Sequence, residues 1–216
     1  MHPVTDPKPF KPSVALLRWT ARFCRDRRAV SAVEFALLLP LMMTLYIGGA
    51  AISEAVAIYR KVGHTAYVLG DLVAQVSSTQ LSDLANVMAA STAVMAPYGT
   101  SGAKLLVAAV NYDGTKLTVA WSYAQGTTAW SKSATMPTSW LPTGSTTATT
   151  ISIPVTGTTA IMSAGDQIIV SCAQYTYSPP GFGLLLQDAS GNRSITMSDV
   201  VYLRPRLSTT IPCSDC

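Results

Sequence analysis

Apolar residues crowd into one unbroken run near the start of the chain and fall into shorter, periodic patterns after it. From Ala29 to Ile52 the sequence reads AVSAVEFALLLPLMMTLYIGGAAI, with Glu34 as its one charged residue. Val30 to Ile52 is 23 residues. At about 1.5 Å per residue a helix of that length spans about 35 Å, enough for a hydrocarbon core of about 30 Å. The run is too long for the apolar part of an ordinary signal peptide, although Ala51-Ile52-Ser53 is a usable small-x-small exit. Pro40 would kink the helix, which membrane helices tolerate, and Gly48 and Gly49 loosen its outer end. Ala32/Ala36 and Gly49/Ser53 are small residues four apart, and such spacing arises readily by composition alone.

Past this run the period changes to that of an amphipathic helix. Ala55, Tyr59, Val62, Ala66, Leu69, Val73 and Val76 recur at alternating steps of four and three. Arg60, His64, Asp71, Gln75 and Ser78 fall mostly on the other side. The pattern predicts one long helix from Val30 to Ser77, whose seam serves to pack a globular domain in preference to a dimer partner. A second helix is predicted from Leu81 to Met95, with Leu84, Val87, Met88, Val94 and Met95 as its apolar set and Pro97 as its stop.

From Ala103 onward the texture is that of strands. Lys104–Tyr112 and Lys116–Tyr123 flank Asp113-Gly114, a hairpin signal that makes Asp113 a turn residue before it is an acid. Residues 126–159, rich in Ser, Thr, Gly and Pro, read as a long surface excursion carrying Trp130 and Trp140, with a short strand at Thr150–Val155. Strands at Gln167–Tyr177 and Arg193–Leu203 follow, with turns at residues 179–183 and 190–192. Helices first and strands afterwards predict an α+β fold: a long transmembrane helix continuing into a small domain with an antiparallel sheet packed on helices. The expected divisions are a basic cytoplasmic leader (1–29), the span (30–53), extracytoplasmic helices (54–97) and a β-rich periplasmic domain (98–216).

Charge orients this arrangement. Residues 1–28 carry Lys8, Lys11, Arg18, Arg22, Arg25, Arg27 and Arg28 against Asp6 and Asp26, whereas from Ala55 to the end eight basic residues face seven acidic ones. A basic head on a near-neutral body places the N-terminus in the cytoplasm and the C-terminal domain outside. Behind four early prolines, the pattern predicts an amphipathic helix over Val14–Arg25 with Arg18, Arg22 and Arg25 on one face and Leu16, Trp19 and Phe23 on another. With Arg27 and Arg28 adjacent, it suits the anionic lipid of an inner leaflet and argues against nucleic acid as the partner. Only 12% of residues are charged and 49% are hydrophobic, which excludes extensive disorder.

Glu34 is the anomaly in the span, since a carboxylate there costs roughly 2.5–3.5 kcal/mol on insertion scales. It either snorkels toward Arg27 or Arg28, or is meant for a cation on a neighbouring subunit. The block Arg27-Arg28-Ala29-Val30-Ser31-Ala32-Val33-Glu34-Phe35-Ala36-Leu37-Leu38-Leu39-Pro40 resembles the N-terminal signature of TadE-like proteins, minor pseudopilins of the tight-adherence (Flp-type) pilus system. The C-terminal texture around Tyr175, Tyr177 and Tyr202–Arg206 is also similar to that family. The resemblance implies cleavage by a prepilin peptidase at Ala29–Val30, which makes Glu34 and Phe35 the fifth and sixth mature residues. It further implies that Glu34 neutralises a new N-terminal amine during assembly. The residue before the bond is Ala29, where the family usually carries Gly. The partners implied are the peptidase, other pilus subunits and the inner-membrane assembly platform.

Cys24 falls on the cytoplasmic side, whereas Cys172, Cys213 and Cys216 fall outside, where disulfides form. Bridging Cys172 to Cys213 or Cys216 would staple the tail to the sheet. Closing a loop of about 42 residues is worth about 4 kcal/mol in the chain-entropy model. Cys213-Ser214-Asp215-Cys216 also has redox or half-zinc spacing, but no thioredoxin-like unit is readable and His64 is the one other external ligand candidate. No catalytic constellation, metal site or cofactor motif is expected, nor a small-molecule substrate, and Asp166, Asp188 and Asp199 read as local hydrogen-bonding groups. Three functions remain: a pilus-assembly pseudopilin of the bacterial inner membrane, an uncleaved single-pass periplasmic binding protein using the Trp130/Trp140 excursion, or a secreted domain released near Ser53.

Overall fold

The structure is a computed structural model and describes residues 27–99, 102–140, 149–156, 160–179 and 194–216. The predicted head helix, the turns at 181–183 and 190–192, and Asp188 lie outside these residues. The chain divides after Gly49 into two compact units. Helix α1 (Arg27–Ala74) supplies the whole of the described part of the first unit and continues into the second. The second unit adds α2 (Leu81–Ala93) and strands β1 (Ala103–Tyr112), β2 (Leu117–Gln125), β3 (Ser139–Trp140), β4 (Thr149–Thr150), β5 (Gln167–Tyr177) and β6 (Ile195–Leu203).

Four strands form an antiparallel sheet in the order β2-β1-β5-β6. The α+β expectation therefore holds: one long apolar helix precedes a small antiparallel-sheet domain. The central strands β1 and β5 are apolar at consecutive positions because both of their faces are covered. Side chains alternate across the sheet. Leu105, Val107, Ala109, Ile169 and Ala173 meet Ile58, Val62, Ala66, Leu69 and Val73 of α1 and Leu84 and Met88 of α2. Leu106, Ala108, Val110, Ile168, Val170 and Cys172 face the other way.

That second face overturns the surface-excursion reading. Met136, Trp140, Ile151, Ile153 and Met162 lie on it, and Trp140 is only 1% exposed. The segment is a cover layer, pinned by the β3–β4 pair and by backbone bonds such as Val119 N–H to Ala134 O at 2.9 Å. Its Ser/Thr-rich composition masks widely spaced apolar anchors, and the expected strand at Thr150–Val155 shrinks to Thr149–Thr150. Trp130 is half-buried.

The seam of α1 needs a smaller correction. Ala55, Val62, Ala66, Leu69 and Val73 face the core, and Ile58 joins them. Tyr59 instead lines an apolar groove of about 380 Å³ with Ile52, Val56, Ile195 and others, and Val76 lies beyond the helix end at Ala74. That end comes three residues earlier than expected because the tail intervenes: Arg206 N–H donates to Ala74 O at 2.9 Å, and Arg206 pairs with Asp71. The second helix likewise stops at Ala93 rather than Met95, although Met95 is buried.

Helix and sheet approach closely where small residues oppose each other. Ser171 Oγ donates to Ala66 O at 2.7 Å, and a Cβ added at Gly70 would stand 2.6 Å from that Oγ and 2.8 Å from Leu203 Cδ1. Overpacking such a contact typically costs about 1–3 kcal/mol, so Gly70→Val should destabilise the folded domain by that amount in urea unfolding. Trp140→Ala should cost about 3–5 kcal/mol, as for other buried aromatic truncations, and Trp130→Ala clearly less. Similar small losses at both tryptophans would return the segment to the surface.

Candidate functional site

The expected cleavage bond Ala29–Val30 and the residues Glu34 and Phe35 fall in the first unit. From Val30 to Ile47 every side chain is exposed, with Phe35 at 66% and Leu37 at 74%. This segment is apolar on all sides, a property of helices that bury themselves in lipid or among other helices. Among the described residues α1 is the one helix long and apolar enough to cross a membrane. Good helix formers such as Leu, Met and Ala carry it through Pro40, which remains inside the helix despite removing one backbone donor. A turn further on, Thr44 Oγ1 donates back to Leu41 O at 2.8 Å.

Glu34 is exposed on this surface, and helical spacing puts Val30 and Leu38 on the same side, one turn away in each direction. Phe35 stands beside it, and the Ala29–Val30 peptide lies in the opening turns of α1. The chain therefore places the expected cleavage bond, the carboxylate and the aromatic residue on one short stretch of exposed helix. The side chains of Arg27 and Arg28, the expected snorkelling partners, and the residues Arg18, Arg22 and Arg25 lie outside the described part.

The cysteines correct the sequence reading. Cys213 bonds to Cys216, with their Cα atoms 5.6 Å apart, and Cys172 carries no disulfide. Strand parity is the reason. Cys172 points to the face covered by Trp140 and Ile151, whereas Cys213 and Cys216 pack against the helix-side core, so the sheet stands between them. Burial pushes the Cys172 thiol up, away from the reactive thiolate. Cys213, Asp215 and Cys216 bring their ligand atoms within 4.8 Å, but with the sulfurs joined only Asp215 keeps a free donor. His64, the other candidate, is exposed on α1.

Of the acids expected to bond locally, Asp166 and Asp199 are described and each accepts from a nearby amide. Asp166 accepts from Ser163 N–H at 2.9 Å and pairs with Arg204 at 3.1 Å, and Asp199 accepts from Val200 N–H at 2.8 Å. Asp113 Oδ1 accepts from the Lys116 and Thr115 amides, each at 2.8 Å, and from Thr115 Oγ1 at 2.7 Å, while Gly114 turns the chain at φ +97°. The β1–β2 turn thus runs over four residues rather than two. No protein-family model, no curated protein and no solved structure matches this chain.

Those three hydrogen bonds, the Lys116 amide first, hold the Asp113 carboxyl down to about 2. A depressed folded value means the bonds contribute stability above the unfolded value of 3.8, which is lost as pH falls through about 2. Carboxylate NMR should therefore place the Asp113 midpoint near 2, and Asp113→Ala should speed amide exchange at Thr115 and Lys116. A midpoint near 3.8 would contradict the turn assignment.

Proposed function

We propose that this chain is a membrane-anchored, pseudopilin-like structural component of Flp/Tad pilus biogenesis, with its sheet domain in the periplasm. The observation that carries the reading is the exposed apolar stretch from Val30 to Ile47, interrupted by the single carboxylate of Glu34 and preceded by Arg27-Arg28-Ala29. An apolar helix with no polar face needs lipid before assembly and other helices after it. Glu34 then gives the transfer between those surroundings a direction. In hydrocarbon its charge is costly, and a cation placed close to it in a low-dielectric packing offsets that cost.

The proposed sequence of events begins with the basic head holding residues 1–29 on the anionic inner leaflet. A prepilin peptidase cuts Ala29–Val30 and exposes the amine of Val30. Glu34 of a neighbouring subunit pairs with this amine while the assembly platform withdraws the helix from the bilayer. The chain itself needs no catalytic group or cofactor for this role. Tight packing of α1 on the sheet keeps the outer domain attached to the part of the helix that is drawn in.

Intact mass and N-terminal sequencing of the protein from its native inner membrane test the reading. The expected mature chain begins at Val30. A chain beginning at Met1 would overturn the assembly mechanism in favour of a retained anchor, and one beginning near Glu54 would reduce the helix to a secretory signal. Glu34→Gln should leave the cut intact but lower incorporation into sheared pili by about tenfold or more, the effect of losing about 1.4 kcal/mol or more of pairing. Ala29→Gly should be processed at least as fast as the natural chain.

A further inference from the structure

The C-terminal Cys213-Ser214-Asp215-Cys216 ring sits where helix α2 begins. Gln80, the N-cap residue of α2, makes no side-chain capping bond. The carboxylate of Asp215 takes that role from 134 positions away, with Leu81 N–H donating to Asp215 Oδ1 at 2.8 Å. The first amides of a helix have no partner within it, and its positive end favours an anion. Around this cap, Thr79 N–H donates to Pro212 O at 3.0 Å and Ser214 N–H to Thr79 O at 3.2 Å. Lys132 Nζ donates to Cys216 O at 3.0 Å.

The disulfide closes this ring over a sequence separation of only 3. Entropy removed by a crosslink grows with the loop it closes, so so short a ring contributes little as a staple. What it does is fix the turn that points Asp215 at Leu81. Just upstream the tail is anchored independently: Ile211 is fully buried, its N–H donates to Gln167 Oε1 at 2.6 Å, and its carbonyl accepts from Trp121 Nε1 at 2.7 Å. Opening the ring therefore frees the last few residues without releasing the core. Both sulfur-bearing residues are partly exposed, whereas Cys172 is wholly buried. Exposed disulfides are the ones open to thiol exchange.

We propose that Cys213–Cys216 is a thiol–disulfide exchange site whose oxidised form clamps Asp215 onto the start of α2 and whose reduced form releases it. The co-reactant is a dithiol. One of its thiolates attacks a ring sulfur, forming a mixed disulfide and expelling the other cysteine as a thiolate that takes up a proton. Its second thiol then displaces the remaining cysteine, which is protonated in turn. The chain gains two electrons and two protons, and the dithiol leaves as a disulfide. The proposal is independent of where the mature chain begins and of the role of Glu34.

The full chain in detergent micelles tests it, using dithiothreitol without denaturant, then iodoacetamide, intact mass and amide exchange. Expected are two alkyl groups that depend on dithiothreitol, on Cys213 and Cys216, beyond any label that Cys24 takes without reductant, with Cys172 labelled only after unfolding. Exchange at Leu81 should rise about fivefold or more, the usual consequence of losing an N-cap, while Val107 and Ala108 in the sheet stay protected. Oxidised Asp215→Ala should show the same Leu81 change without reductant. Cys213→Ser/Cys216→Ser should show it constitutively and ignore dithiothreitol. A bond that resists dithiothreitol in the folded chain, or reduction that leaves Leu81 protected, would make the disulfide a passive crosslink and overturn the proposal.

Discussion

Burial of both faces of β1 and β5 is the constraint on which the outer domain depends. Leu105–Val110 are at most 2% exposed, and so are Ile168, Ile169, Val170, Cys172 and Ala173. A sheet whose central strands are apolar on both sides needs two covers, and the described helices supply one of them. α1 and α2 take the face of Val107 and Ile169. The other is covered by Met136, Trp140, Ile151, Ile153 and Met162, spaced along the chain as anchors. On this side Thr149 also reaches β6, its hydroxyl bonding that of Ser198. Size matters on the helix side as well. Ser171, Ala66 and Gly70 are small where α1 runs over the sheet, and the Ser171 hydroxyl bonds a helix carbonyl instead of being buried alone.

α1 is thus made of two different surfaces in one element. From Ile58 to Val73 its apolar residues form a stripe matched to the sheet, and the polar positions Arg60 and His64 stay outside. From Val30 to Ile47 no stripe exists, because apolar residues surround the axis. Stability of the folded domain accounts for the first surface and gives no reason for the second. Contiguous exposed apolar patches of this kind mark membrane or partner contact. Glu34 sharpens the point, because a carboxylate in such a stretch lowers its fitness as a plain anchor.

How much of this was legible followed from how local each signal is. The long helix, the second helix, the β1–β2 hairpin and both later strands were readable because period and turn chemistry act over a few neighbours. The α+β order followed from them. Tyr59 was misplaced because a four-three rhythm says which side of a helix is apolar, not where the sheet's edge falls along it. Trp140 was misread because composition over 34 residues hid four anchors, Met136, Trp140, Ile151 and Ile153, whose role is defined only by the sheet beneath them. The disulfide was misassigned because pairing depends on which face Cys172 takes, and parity along β5 puts it opposite the tail. Of the candidate site, exposure of Val30, Glu34 and Phe35 was legible from the unbroken apolar run. The use of Asp215 as a cap was not, since no sequence rule joins residues 134 positions apart.

The tail shows what that distance means physically. The end of α1 and the start of α2 both carry backbone groups that no neighbour in sequence satisfies. Residues 206–215 satisfy them together: Arg206 N–H reaches Ala74 O, Pro212 and Ser214 bond Thr79, and Asp215 takes Leu81 N–H. The α1–α2 connection is therefore completed only when the last ten or so residues of the chain have docked. Ile211 supplies the apolar part of that docking, buried between Trp121 and Gln167, and the polar caps then need little further ordering to form. An apolar anchor that fixes position, followed by polar contacts that fix geometry, lets the final contacts be adjusted without disturbing the core. In this chain that adjustable end is the one closed by a disulfide.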